Sequence, residues 1–166
     1  MLSKKLTTAI NEQMNFEIYS AHIYLAMAGY CADLGLDGFE NWFKVQYEEE
    51  LFHAKKFFDF LGSKGARIEV TGFENPENDY GSILEAFEKA LEHEQIVTSR
   101  IYKLMKLATD EGEYSTTSFL QWFIDEQVEE EESVEDIIGK LKIVKDAGLY
   151  LLNQELAQRT FTEPTA

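Results

Sequence analysis

Cysteine is all but missing from this chain. Cys31 is the single one in 166 residues, which excludes an internal disulfide and any zinc or iron–sulfur site built on several thiolates. A lone thiol suits a reducing compartment. Long apolar runs are missing too: none approaches the roughly 18 residues of a membrane span, and Met1-Leu2-Ser3-Lys4-Lys5-Leu6 leads into a mixed polar pattern rather than a signal core. The expectation is a soluble cytoplasmic protein without a membrane partner. Basic residues are scarce, 15 Lys and Arg against 31 Asp and Glu, for a formal net charge of −16. That balance argues against nucleic acid as a partner; it would concentrate cations, or simply keep the surface soluble.

What is present points to a helical domain. Hydrophobic residues make up 45% and aromatics 13%, enough to resist disorder despite the charge, and the length suits one domain over 1–166. From Ser3 to Leu34 no proline intervenes, and Ile10, Met14, Glu17, Ala21, Tyr24, Ala28 and Cys31 recur at steps of three and four, a heptad-like seam on one helix. Gly35 should end it, and Asp37 should cap a second helix with Glu40 in its first turn. That helix carries Phe39, Phe43, Gln46, Glu50, His53, Phe57 and Phe60 to a stop at Gly62. Residues 63–81, with Pro76 and three glycines, have no helical period. Extended at roughly 3.3 Å per residue they can cross the full length of a bundle. Ser82 opens a third helix with Leu84, Phe87, Leu91, Glu94, Thr98, Ile101, Met105 and Ala108 on its seam, ending near Gly112. Ser115 should cap a fourth, with Thr116, Leu120, Phe123, Gln127, Glu130, Val134, Ile137 and Leu141, and Gly139 as a potential kink. A short fifth helix is expected over 149–159, after a bundle of about 3–145.

Each long helix thus breaks its apolar seam with one carboxylate: Glu17, Glu50, Glu94 and Glu130. Each lies roughly 17 to 23 Å from its helix start, so all four share one level. No Lys or Arg shares the seams, and only His53, one turn from Glu50, can offset them. Either some carboxylates are protonated or turned to water, or divalent cations neutralise them. Four carboxylates with a Glu-x-x-His pair form the pattern of a di-metal bundle, and oxygen ligands with one nitrogen suit iron, manganese or zinc better than copper.

Together with Asn11-Glu12-Gln13-Met14-Asn15, Glu48-Glu49-Glu50 before His53, and Phe119-Leu120-Gln121-Trp122-Phe123 leading into Glu126-Gln127-Val128-Glu129-Glu130, these features make nearly the whole chain resemble the ferritin family, and within it the bacterial non-haem ferritins. The resemblance implies an all-α, ferritin-like four-helix up-down bundle with one long crossover and a fifth helix, assembled as a cage of 24 subunits. It implies iron storage with ferroxidase activity, the oxidant being dioxygen or hydrogen peroxide. Glu17, Glu50 and His53 would hold one iron, and Glu50 as bridge, Glu94 and Glu130 the second. Glu49, Glu126 and Glu129 with Glu130 would hold a third. Gln127 matches the glutamine that hydrogen-bonds beside the iron pair, and Tyr24 a tyrosine near the centre, although Tyr24 reads equally as core filler. The chain departs from bacterioferritins and rubrerythrins in lacking a second histidine after Glu94 or Glu130, which implies a looser second iron. The second helix has no methionine, so no haem is expected.

Three rivals follow from the same residues. A rubrerythrin-like peroxide reductase would need a cysteine-ligated iron that Cys31 alone cannot build. A mini-ferritin would place its ligands between subunits and lack the fifth helix. A metal-free helical scaffold would bind partner helices. His93 is expected to be exposed or at an interface, His22 likewise, Cys31 buried, and Trp42 and Trp122 packed between helices or subunits.

Overall fold

The chain, described over residues 1–164 by a computed structural model, folds into helices α1 (Lys4–Asp33), α2 (Asp37–Ser63), α3 (Ile83–Asp110), α4 (Tyr114–Ile143) and α5 (Asp146–Leu156). No strand occurs among the described residues. Short connections make α1 and α2, and α3 and α4, antiparallel neighbours. These pairs pack on each other through α1 and α3, and α5 lies against α2. Gly35 and Gly112 take the left-handed conformation that closes α1 and α3. Ser3 and Ser82 cap α1 and α3 by accepting from the amides of Leu6 and Glu85, each at 3.0 Å.

The long connection between α2 and α3 is held on α1 by two asparagines. Asn11 donates to Arg67 O at 2.9 Å and accepts from Glu69 N at 2.7 Å; Asn15 donates to Glu69 O at 2.8 Å and accepts from Thr71 N at 2.7 Å. Each side-chain amide presents a donor and an acceptor as a neighbouring strand would. Four backbone groups of the crossover are thereby satisfied without a sheet.

Several expected boundaries shift. Asp37 does not cap α2; it is the first helical residue, and Leu36 before it offers no side-chain bond. Asn153 of α5 does the work instead, its Oδ1 accepting from Gly38 N at 2.8 Å and Phe39 N at 3.2 Å. Helix α2 runs through Gly62, and Gly65 is the left-handed residue after its end. Glu113, not Ser115, occupies the N-cap position of α4, and Gly139 does not interrupt that helix. The fifth helix spans Asp146–Leu156 rather than 149–159, because Gly148 lies inside it against Val144, where a Cβ would come within 2.8 Å of that side chain's Cβ.

Gly38 has a sharper constraint. A Cβ there would fall 1.6 Å from the backbone oxygen of Asn153, although in an open helix alanine would be the better residue by about 1 kcal/mol. Gly38→Ala is therefore expected to lift α5 from α2 and to cost about 1–3 kcal/mol. Thermal melting should fall by several degrees, with proteolysis moving to residues after 145; a melt equal to or above the parent's would contradict the packing.

The core has two apolar halves. Tyr24, Phe39, Phe43, Phe87 and Val134 anchor one, and Leu6, Ile10, Phe57, Ile101 and Phe123 the other. Between them lies a layer of buried polar groups.

Candidate metal centre

That layer takes one carboxylate from each long helix at its expected seam position, with His53 and Gln127 beside them. Glu17 of α1, Glu50 and His53 of α2, Glu94 of α3, and Gln127 and Glu130 of α4 are all at most 4% exposed. Ligand atoms of Glu17, Glu50 and His53 lie within 4.8 Å of one another, and so do those of His53, Glu126 and Glu130. His53 joins the two groups. Its Nδ1 is 3.3 Å from Glu50 Oε2, while its Nε2 stands 3.8 Å from Glu126 Oε1 and 3.9 Å from Glu130 Oε1, beyond hydrogen-bond length.

Among the described residues two buried side-chain atoms have no hydrogen-bond partner, Glu17 Oε2 and His53 Nε2. Orphaned polar atoms at this depth are costly, and both are metal-ligand types. Burial and mutual repulsion also resist full ionisation. Burial raises Glu17, and burial with the charge of Glu94 raises Glu50 well above the carboxylate range. The same two causes push Glu130 up to about 8, and burial takes Glu94 to about 6. Burial alone would depress His53, yet Glu50, Glu126 and Glu130 around it hold it well above the ordinary imidazole value. Such a set holds protons until a cation displaces them.

A family model described as a ferritin-like domain matches residues 7–144. The chain belongs to the ferritin family of iron-storage proteins. It is 47% identical over 165 residues to the bacterial non-heme ferritin of Staphylococcus saprophyticus, covering 98% of this chain and 99% of that one, and 46% identical to that of Staphylococcus aureus with the same coverage. An engineered closed form of the Archaeoglobus fulgidus ferritin superposes with a TM-score of 0.96 at 46% identity, covering 98% of this chain and 100% of that chain. The open-pore ferritin of the same archaeon gives 0.95 at 45%, with 96% and 100% covered.

The other candidate residues of this ferritin differ in how they meet that layer. Glu94 is occupied on both oxygens: the Tyr24 hydroxyl donates to Oε1 and Gln127 Nε2 to Oε2, the latter at 3.1 Å. Tyr24 is thus a hydrogen-bond donor inside the layer as well as core. Glu94 is not grouped with Glu130; Glu126 takes that place. Of the other residues expected at a third iron, Glu49 pairs with Arg159 at 2.7 Å and Glu129 is exposed.

His93 corrects an expectation. It is buried, not exposed, with Nε2 2.7 Å from Ser20 Oγ and its ring stacked on Phe16. Ser20 Oγ donates to Phe16 O at 3.0 Å, so it accepts from His93, and burial together with Arg100 lowers the imidazole to about 4, keeping it neutral. Helix α1 explains the burial: beside Phe16, the rings of Tyr19 and Tyr24 meet the imidazole edge-on, so a second face of α3, off its seam, packs against α1. His22 is exposed, Cys31 buried, and Trp42 buried. Trp122 packs edge-on to His53 under Lys56. Among the described residues no helix is long and apolar enough to cross a membrane.

Two glutamines were legible as seam or motif residues but not as partners. Gln13 donates to Glu17 Oε1 at 2.8 Å, a spacing of four that sequence alone could have suggested, and Gln46 donates to Glu130 across the bundle.

Proposed function

We propose that this ferritin is a ferroxidase. Fe(II) is the substrate, and each pair of ions gives two electrons to dioxygen or hydrogen peroxide, leaving Fe(III) to be deposited inside a homo-oligomeric cage. The observation that carries this reading is the unpartnered pair, Glu17 Oε2 and His53 Nε2, in a buried layer of four carboxylates. Glu17, Glu50 and His53 would hold one ion. Glu50, Glu94 and Glu130 would hold the second, with Glu94 leaving Tyr24 and Gln127 as donors beside it. Glu126, joined by Glu49, Glu129 and Glu130, leads outward as a third site. Hard oxygen ligands favour the ferric state over the ferrous, which supplies the driving force at the site, and the acidic chain receives the product.

The family points to 24 copies. Exposed Ile143, Tyr150 and Leu151 at and beside α5 support burial between subunits, and the single cysteine supports a cytoplasmic setting. Fe(II) added in air should give ferric absorbance in the near ultraviolet far faster than in buffer, and prior loading with Zn(II) should suppress it several-fold. Zn(II) binds such ligands without redox chemistry. Oxidation that Zn(II) leaves untouched would remove this centre from the reaction.

A further inference from the structure

We propose that Arg100 and Arg159 are positioning residues of the centre, each acting through a glutamine on one metal-binding carboxylate. The proposal rests on the reading of Glu17 and Glu130 as ligands. On one side Arg100 Nε donates to Gln13 Oε1 at 2.9 Å, and Gln13 Nε2 donates to Glu17 Oε1 at 2.8 Å. On the other, Arg159 donates through an Nη to Gln46 Oε1 at 2.9 Å, and Gln46 Nε2 donates to Glu130 Oε2. The two arginines come from unrelated stretches, the middle of α3 and the segment after α5, yet build the same Arg–Gln–Glu relay.

The parts are matched in detail. Gln13 and Gln46 are buried, at 2% and 0% exposure, whereas both guanidinium groups sit nearer the surface against an aromatic ring. Arg100 lies 4.0 Å from the centroid of Phe16 and Arg159 4.5 Å from that of Trp42. The cation over the ring face helps to hold each guanidinium in place. A second backbone contact fixes its position, Glu12 O at 3.3 Å for Arg100 and Trp42 O at 3.2 Å for Arg159.

A guanidinium only donates, so the amide oxygen of each glutamine must face outward and its NH2 inward. Turning either amide over would set oxygen against carboxylate and nitrogen against guanidinium. The arginine therefore fixes the sense of the amide, and the amide fixes one carboxylate oxygen. What remains free faces the centre: Glu17 Oε2 has no partner, and Glu130 Oε1 stands 3.9 Å from His53 Nε2. A cation placed in the layer itself would occupy these oxygens and repel incoming metal. A neutral amide passes on the hold while leaving the ligand face open.

Co(II) titration of the metal-free full-length protein, followed by visible ligand-field absorption, tests this without redox turnover. Arg100→Leu and Gln13→Met should each weaken binding about tenfold, the effect of one charge-assisted hydrogen bond to a carboxylate. Because the two act as one relay, the double variant should bind no more weakly than either single variant. Arg159→Leu and Gln46→Met should behave in the same way; an effect of Arg159 that persisted without Gln46 would instead run through Glu49. Arg100→Lys, which keeps a donor, should restore affinity to within about threefold. The proposal is overturned if the double variants multiply the single losses, or if the leucine variants lower the melting temperature yet leave the Co(II) affinity and spectrum unchanged. Co(II) binding by the parent that survives Glu50→Ala with His53→Ala would overturn the reading of the centre itself, a separate result.

Discussion

Glu50→Ala combined with His53→Ala should slow aerobic Fe(II) oxidation on the order of 100-fold, since loss of even an outer-shell partner typically costs a metal site 10- to 100-fold. The pair is the common element of the layer: His53 belongs to both groups of candidate ligands, and Glu50 shares a group with Glu17 and feels the charge of Glu94. Removing them leaves Glu17 with its Gln13 bond and an empty second oxygen, and no nitrogen ligand in the layer. The variant should still fold, because truncating these side chains opens space but also withdraws a carboxylate and an imidazole that burial penalises. A melting temperature close to the metal-free parent's, with oxidation lost, is the expected combination. Oxidation as fast as the parent's would exclude the centre.

Metal-free protein should lose stability as pH rises from 6.5 to 8.5, and Zn(II) should reverse that slope. The sign follows from proton binding. Glu130, raised from 4.5 to about 8, binds more proton in the folded than in the unfolded chain over that interval, so stability is fully present below 4.5 and is lost as pH climbs through about 8. Glu94, at about 6, has lost most of its share below the window, whereas His53, held above its ordinary value, adds to the loss with the same sign. His93, lowered from 6.5 to about 4, acts oppositely but only between those values. Glu130 alone then contributes about 2 kcal/mol across the window, or roughly 4–8 °C in melting temperature for a chain of this size. Zn(II) binds the deprotonated ligands, so its stabilisation grows with pH. Melts in chelator that rise with pH would contradict the buried, protonated layer.

The sequence revealed most of this layer because a seam position is a statement about depth as well as face. Glu17, Glu50, Glu94 and Glu130 each replaced an apolar residue in a heptad run, and all four are buried at one level. What stayed illegible came from contacts distant in sequence. Nothing local marks Arg159 as reaching Gln46, 113 residues away. His93 escapes a one-seam reading of α3 because a second face of that helix packs on Phe16, Tyr19, Ser20 and Tyr24 of α1. The start of α5 was misplaced because Gly148 reads as a break, although it marks a close approach to Val144. Asp37 lost the capping role to a residue that no short window could contain.

That last substitution of roles bears on how the molecule is made. The amides of Gly38 and Phe39 at the start of α2 find their side-chain acceptor in Asn153, so during synthesis the leading hairpin emerges with that end uncapped while more than half the polypeptide is still to come. The first pair of rods can meet early, but that end is sealed only once the final helix has been made.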